Sequence, residues 1–144
     1  MPVDAYIVDT SVLVRWFLGQ AGWQTARKYR DDFLDGTLSL QTVECARFEL
    51  PWALRKKGLI PGQLTIEEYI AAVRVIDDWS IHVEPFDVDD IEQSAVLSAE
   101  HNMTFFDATF VFRALVTGVP LLTADARLAH AAEGLVEVRL ISDT

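Results

Sequence analysis

The chain has 144 residues, of which 51% are hydrophobic, so we expect a single domain over residues 1–144 with one sizeable core. No apolar run is long enough to span a membrane, and the N-terminus lacks the basic start of a signal peptide. The single cysteine excludes an internal disulfide. Together these features favour a cytoplasmic protein. The formal net charge of −10 is uneven, +1 over residues 1–60 and −11 over residues 61–144, and argues against broad electrostatic binding of nucleic acid.

Strands and helices are predicted to alternate along the chain. Five strands begin near residues 6, 38, 81, 119 and 136. After the first strand, Ser11 is expected to cap a helix that ends near residue 18. Further helices are predicted over residues 23–34, 43–57, 65–78, 87–102, 105–117 and 126–132. Because helices separate the strands, the sheet should be mostly parallel, with helices on both faces.

Four carboxylates stand where burial would normally exclude a charge. Asp9 and Asp125 each follow an apolar strand, and ligands of open α/β sheets bind at the carboxyl ends of strands. Glu49 and Asp107 lie in apolar surroundings, where an unpaired charge is costly. The alternative is that Asp9, Asp107 and Asp125 simply cap helices, with Glu49 on an exposed flank. Taken together, the four predict one cluster, whose mutual repulsion calls for a cation, and such hard oxygen ligands suit Mg²⁺ or Mn²⁺.

Four short motifs follow one another along the chain: Ile7-Val8-Asp9-Thr10-Ser11, Glu49-Leu50-Pro51-Trp52-Ala53-Leu54-Arg55-Lys56, Phe106-Asp107-Ala108 and Leu121-Leu122-Thr123-Ala124-Asp125. In this order and at these separations they resemble the motifs of PIN-domain ribonucleases, most closely the VapC-type toxins of toxin–antitoxin pairs. The resemblance covers essentially the whole chain. It implies a three-layer α/β/α fold with a central, mostly parallel five-stranded sheet.

The resemblance also implies an activity, the hydrolysis of an RNA phosphodiester at a metal site. Asp9 and Asp107 would be the main metal ligands, Glu49 would ligate or accept a proton from the attacking water, and Asp125 would act through a water. The possible supporting groups are Thr10, Ser11 and Thr123.

Two features depart from the pattern of that family. Phe106 stands where a tyrosine is common, so a hydroxyl contact is missing. Pro51 removes an amide and crowds the carbonyl of Arg47, so it is expected to kink its helix and re-aim Glu49. Glu44 is then the substitute candidate.

The acidic total raises the question of partners. Positive side chains at one edge of the site, Arg15, Arg55, Lys56 and Lys57, are the candidates to contact RNA. The acidic half would face away from the RNA or face a basic partner, and the resemblance implies an antitoxin. Apolar residues such as Trp16, Phe17 and Trp23 are expected to receive this partner or to form a homodimer, unless they belong to the core, as Phe17 is expected to.

Three other functions fit parts of the sequence. An aspartyl phosphatase-type hydrolase would use Asp9, but it usually needs a second acid two residues on, where Ser11 stands, and a late lysine, and no lysine follows Lys57. A catalytically silent PIN-like module that binds RNA or protein would have a broken acid set, whereas all four acids are present. In a purely structural acidic domain the four coincident acids would be accidental.

Overall fold

The computed structural model describes residues 3–141, and these contain a five-stranded parallel sheet. The strands lie in the order β3-β2-β1-β4-β5, and helices cover the sheet, so the predicted three-layer α/β/α fold is confirmed. The strands are β1 Asp4–Val8, β2 Leu38–Val43, β3 His82–Glu84, β4 Leu121–Thr123 and β5 Val138–Leu140.

Eight α-helices accompany these strands within the described residues. They are α1 Thr10–Arg15, α2 Trp23–Leu34, α3 Ala46–Leu54, α4 Ile66–Val73, α5 Val75–Asp78, α6 Val88–His101, α7 Phe105–Thr117 and α8 Ala126–Ala132. A π-helical segment, Arg55–Leu59, extends α3. Between residues 3 and 141, none of the helices is both long and apolar enough to cross a bilayer.

The centre of the sheet is its most buried part. Ile7 and Val8 of β1 are fully buried, as are all three residues of β4. From β1 the chain builds outward to β2 and β3 on one side, and it returns to place β4 and β5 on the other. Such a reversal opens a crevice between the carboxyl ends of the two strands that flank it, here β1 and β4. The fold therefore places the residues after Val8 and after Thr123 side by side.

The first helix begins differently from the sequence prediction. Asp9 has an extended backbone (φ −91°, ψ 171°), and its side chain accepts a hydrogen bond from the amide of Val12, so Asp9 caps α1. The prediction that Ser11 caps this helix is therefore wrong, because Ser11 lies in its first turn. The helix is also shorter than predicted and ends at Arg15.

Two other predicted helices have different bounds. The predicted helix over residues 43–57 begins later, because Val43 pairs with Glu84 as the last residue of β2. The predicted helix over residues 65–78 is broken at Arg74 into α4 and α5. Thr65 and Asp87 cap α4 and α6 with capping boxes, and α6 ends at Asn102 in the left-handed conformation.

Helix α3 presents two contrasting faces. Leu50 is fully buried beside Ala53, whereas Phe48 and Trp52 are 78% and 65% exposed. The helix continues through Pro51, which cannot donate to the carbonyl of Arg47. The orientation of α3 decides which way Glu49 points, because Glu49 lies on the boundary between the two faces.

This orientation predicts a large loss of stability for one substitution on α3 and almost none for another close by. Leu50→Ala should lower the free energy of unfolding by about 2–5 kcal/mol, because it leaves a cavity in the core. Phe48→Ala should change it by less than about 0.5 kcal/mol, because the side chain is exposed. Urea denaturation of dilute protein, followed by circular dichroism, measures both values. Equal losses for the two variants would contradict the orientation of α3.

Candidate active site

Asp9 occupies the carboxyl end of the central strand and is only 4% exposed. Its Oδ1 accepts a hydrogen bond from the Ser11 hydroxyl at 2.5 Å and from the Val12 amide at 3.4 Å. Its Oδ2 accepts from the Thr123 hydroxyl at 2.8 Å. Burial of a carboxyl group is costly unless it is hydrogen-bonded, and here both oxygens have partners. These bonds keep the Asp9 side chain in one position.

The two hydroxyl groups that hold Asp9 also join the chain after β1 to the chain after β4. The Ser11 hydroxyl accepts a hydrogen bond from the amide of Ala124 at 2.9 Å, and the Thr123 hydroxyl accepts one from the amide of Asp125 at 3.0 Å. The hydroxyl oxygens of Ser11 and Thr123 are 3.3 Å apart. The network therefore fixes Asp9 and the backbone of Asp125 relative to each other.

Glu49 is half-buried and reaches the same region from α3. Its Oε1 accepts a hydrogen bond from the Thr10 hydroxyl at 3.0 Å, and the thiol of Cys45 lies 3.8 Å from the same oxygen. Cys45 is in turn 3.1 Å from the hydroxyl of Thr109 on α7. Between residues 3 and 141, no hydrogen bond reaches Oε2 of Glu49, so this oxygen can serve a ligand or a proton.

The other two carboxylates belong to helices α7 and α8. Asp125 caps α8, and its Oδ1 accepts from the amides of Arg127 and Leu128 at 2.9 and 3.3 Å. Asp107 is the third residue of α7, and Thr104 is the residue that caps this helix. The interpretation as a helix cap is therefore correct for Asp9 and Asp125 and wrong for Asp107.

All four carboxylates line one cavity of about 240 Å³, which we call the acid cavity. Its wall also contains Thr10, Ser11 and Lys57, together with Val14, Trp52, Ala53 and Phe110. Thr123 lies behind this wall, fully buried against Asp9. The cavity thus brings together side chains from four separate parts of the chain.

The carboxyl groups of Asp9, Glu49 and Asp107 have a pKa above the ordinary range of free carboxyl groups. Burial, and then the neighbouring Asp107, raise the pKa of Asp9 from 3.8 to about 7, although its three hydrogen bonds oppose this rise. Burial and the charge of Asp107 also raise the pKa of Glu49. Burial and the charge of Asp125 raise the pKa of Asp107. The mutual effects show that the carboxylates are close enough to repel one another.

Comparison with known families identifies the family of this chain. The model of the PIN domain family matches residues 6–134, which include all four carboxylates. The chain belongs to the PIN domain family. A search of curated protein sequences gave no significant match.

Solved structures that resemble this PIN domain include toxins of toxin–antitoxin pairs. VapC20 of Mycobacterium tuberculosis, a sarcin–ricin loop-cleaving toxin, has 22% identity and a TM-score of 0.71, over 93% of this chain and 98% of that chain. VapBC2 of Rickettsia felis, bound to a promoter DNA fragment, has 10% identity and a TM-score of 0.67, over 94% and 98%. FitAcB of Neisseria gonorrhoeae has 16% identity and a TM-score of 0.60, over 92% and 95%. At these identities the likeness establishes the fold.

The donor set of this PIN domain suits a divalent cation in its chemistry. Carboxylate and hydroxyl oxygens that crowd together are the hard ligands that Mg²⁺ and Mn²⁺ prefer. Within residues 3–141, however, no three Asp, Glu, His or Cys side chains come close enough together to hold one ion as they stand. Mg²⁺ is usually held by one or two carboxylates and several waters, so Asp9 and Asp107 are the residues that would hold an ion here, with water completing its coordination.

The structure places the predicted RNA-contacting residues unequally. Lys57 lines the acid cavity, and Lys56 lies over the exposed ring of Trp52, 5.0 Å from its centroid. The guanidinium of Arg15 is half-buried and donates to two backbone carbonyls, at 2.6 and 2.8 Å. Arg55 is exposed and does not line the cavity.

Two other predicted positions can be compared with the structure. Glu44, the substitute for Glu49, accepts a hydrogen bond from the amide of Phe86 and does not line the acid cavity. The assignment of Trp16 to a partner surface is wrong, since Trp16 is 2% exposed and its indole donates to the carbonyl of Ala26. Phe17 and Trp23 are half-buried.

The sequence reasoning missed three residues around the carboxylates. Cys45 and Thr109 contact each other beside Glu49, and Arg127 is close enough to Asp107 to oppose the rise of its pKa. Cys45 lies four residues before Glu49, a spacing that places two side chains on one helix face, so this contact had a local signal. Thr109 and Arg127 had none, because their positions depend on tertiary packing.

The raised pKa of Asp9 predicts that stability falls as pH rises. The native state still binds a proton on Asp9 where the unfolded chain has lost it, so the free energy of unfolding should decrease between about pH 4 and 7. Asp9 alone should contribute up to about 1.4 kcal/mol per pH unit to this slope. Asp9→Asn should make this slope shallower, and the exposed Asp31→Asn should not change it. Urea denaturation in the presence of a chelator measures the slope, and equal slopes for all three proteins would contradict the burial of an ionisable Asp9.

Proposed function

We propose that this PIN domain is a metal-dependent endoribonuclease and the toxin component of a toxin–antitoxin pair. The observation that supports this most directly is the meeting of Asp9, Glu49, Asp107 and Asp125 around one cavity at the carboxyl ends of β1 and β4. The proposal includes Mg²⁺ or Mn²⁺ as the cofactor, one nuclease domain over residues 1–144 and a cytoplasmic location.

In the proposed reaction, the protein holds an RNA phosphodiester against the acid cavity while water attacks the phosphorus. A bound divalent ion would lower the pKa of that water and neutralise charge on the phosphate and the leaving oxygen. Asp9 and Asp107 would be the main metal ligands. Ser11 and Thr123 would hold Asp9 at the required orientation, because their hydroxyls donate to its two oxygens.

Glu49 is the proposed proton acceptor or additional ligand. Thr10 anchors one of its oxygens at 3.0 Å, and the raised pKa of its carboxyl group brings it closer to the range useful in proton transfer. Asp125, with Oδ1 fixed by the cap of α8, would act through a water. Lys57 is the predicted cation best placed to contact the RNA, since it lines the cavity.

The solved structures of similar fold support the toxin assignment. VapC20 of Mycobacterium tuberculosis is described as a toxin that cleaves the sarcin–ricin loop, and a Klebsiella pneumoniae neighbour is a toxin–antitoxin complex. We therefore propose a protein antitoxin as a partner of this chain, and a homodimer as its own assembly. Exposed apolar side chains suit such contacts, above all Phe48, Trp52 and Val88.

A catalytically silent PIN domain that binds RNA or protein is the second candidate. The observation in its favour is that no three carboxylates within the described residues are close enough to hold an ion as they stand. The cleavage assay below distinguishes the two functions.

Purified protein should cleave RNA in the presence of Mg²⁺ or Mn²⁺, and cleavage should stop when a chelator is added. Asp9→Asn and Asp107→Asn should each lower the rate by more than about 100-fold, because loss of even an outer-shell partner of a metal ligand costs about 10–100-fold. Asp31→Asn on α2 is the matched control and should retain full activity. Cleavage of labelled RNA under single-turnover conditions gives the rates. Equal rates for wild type and Asp9→Asn would disprove the proposed site.

The proposal predicts a small antitoxin reading frame next to this gene, and co-expression of its product with this chain should yield a stable complex. The partner should suppress RNA cleavage, because an antitoxin acts by blocking its toxin. Affinity purification followed by light scattering gives the composition and stoichiometry of the complex. An active nuclease that forms no complex with its neighbour would remove the support for the toxin assignment and leave the nuclease assignment intact.

A further inference from the structure

A second groove adjoins the acid cavity and is larger, with a volume of about 430 Å³. It is lined by His101, Asn102 and Thr104 at the junction of α6 and α7, and by Arg127 and His130 on α8. Asp107 and Asp125 line both spaces, so they form the boundary between them. We call this second space the α6–α8 groove; its volume lies in the range of about 300–1,000 Å³ usual for pockets that hold a small ligand.

The charges of the α6–α8 groove differ from those of the acid cavity. The wall of the acid cavity holds four carboxylates and the single cation Lys57. The groove adds the exposed guanidinium of Arg127 and the imidazoles of His101 and His130. The His130 ring has a carboxylate beside it, that of Glu133 at 3.8 Å. The guanidinium of Arg127 is a permanent positive charge of the groove, because it stays protonated in proteins. An anionic ligand beside the acids therefore has its counter-charge here.

Polar groups that can recognise a base or ribose lie next to this charge. Asn102 is exposed and has left-handed backbone geometry (φ 50°), which turns the chain between α6 and α7. The hydroxyl oxygen of Thr104 accepts a hydrogen bond from the amide of Asp107, so its own proton is available to a ligand. An amide and a hydroxyl can bond base edges or a ribose hydroxyl in single-stranded RNA.

The part of the acid-cavity wall that comes from α3 and its π-helical extension offers a complementary set of groups. Trp52 and Lys57 line this part of the wall and do not line the groove, Trp52 is 65% exposed, and Lys56 lies over its ring. Aromatic faces and cations along a surface are the features that hold single-stranded nucleic acid without base pairing. Because Asp107 and Asp125 line both spaces, a strand held by these residues and the acids can continue into the α6–α8 groove.

We propose that the α6–α8 groove binds the nucleotide next to the scissile phosphate, with Arg127 contacting a phosphate of the RNA strand. The inference rests on the proposed nuclease function. It assigns the path that the bound RNA strand follows beyond the four carboxylates. Arg127 is a substrate-binding residue in this assignment, so its loss weakens RNA binding more than it slows the chemical step.

The test compares Arg127→Gln and Arg127→Lys with a matched control, Arg74→Gln. Arg74 is an exposed arginine that pairs with Asp78 and lines neither space. Arg127→Gln should raise KM for an RNA oligonucleotide about tenfold with little change in kcat, and Arg127→Lys should restore most of the loss. Binding of the same oligonucleotide is also measured in chelator at several salt concentrations. The slope of log affinity against log salt should become shallower by about 0.7 in Arg127→Gln and should not change in Arg127→Lys or Arg74→Gln.

A second arm measures binding, in chelator, of the two product-like oligonucleotides that end at the scissile phosphate, one carrying the 5′ side and the other the 3′ side. One of the two lacks the nucleotide of the groove, and its affinity should not respond to Arg127→Gln, whereas the affinity of the other should respond like that of the full oligonucleotide. This selectivity would not arise if Arg127 only supported the fold.

The outcomes separate this inference from the function on which it rests. If wild type cleaves RNA but Arg127→Gln leaves KM and the salt slope unchanged, the groove assignment is overturned and the nuclease stands. A fall in kcat alone would mean that Arg127 acts through Asp107. Loss of antitoxin binding alone would mean that the groove binds a protein. Either result overturns the inference. If wild type neither binds nor cleaves RNA, both proposals fail.

Discussion

The site depends on one constraint, a carboxyl group buried at the end of the central strand. Asp9 is held there by the hydroxyls of Ser11 and Thr123 and by the amide of Val12. Each hydrogen bond to a charged group contributes about 1.5–3 kcal/mol, which offsets part of the desolvation cost. Because Thr123 ends β4, its bond to Asp9 forms only when β1 and β4 lie side by side. Asp9 and Asp125 are thus brought together by the same strand pairing that creates the crevice.

Several side chains of the site serve the fold and the proposed chemistry together. Asp9 caps α1, Asp125 caps α8, and Thr10 opens α1 while holding Glu49. Substitution of such a residue by alanine would also remove a helix cap worth about 1 kcal/mol, whereas asparagine caps a helix as well as aspartate does, so Asp9→Asn separates the two roles. Asp107 has no capping role, so its substitution reports on the chemistry more directly.

Much of the site could be predicted from the sequence because its signals are local. An apolar strand that ends in an acid is visible at Asp9 and Asp125, and the parallel sheet then places such ends at one edge. Serine and aspartate are both favoured as caps, so the sequence offers Ser11 as well as Asp9 for the cap of α1. Only the backbone geometry decides in favour of Asp9. Trp16 and Arg127 depend on how helices pack together, and residue spacing within one helix carries no information about that.

The two oxygens of the Asp125 carboxylate have different roles, and this has a consequence for helix α8. Both amide contacts, from Arg127 and Leu128, fall on Oδ1. Because α8 has only seven residues, it is too short to persist without tertiary support and a cap. A ligand that engages Oδ2 leaves the first turn closed, whereas one that draws Oδ1 away exposes both amides to solvent deuterium. Hydrogen exchange at these two amides would therefore distinguish direct ligation by Asp125 from action through a water.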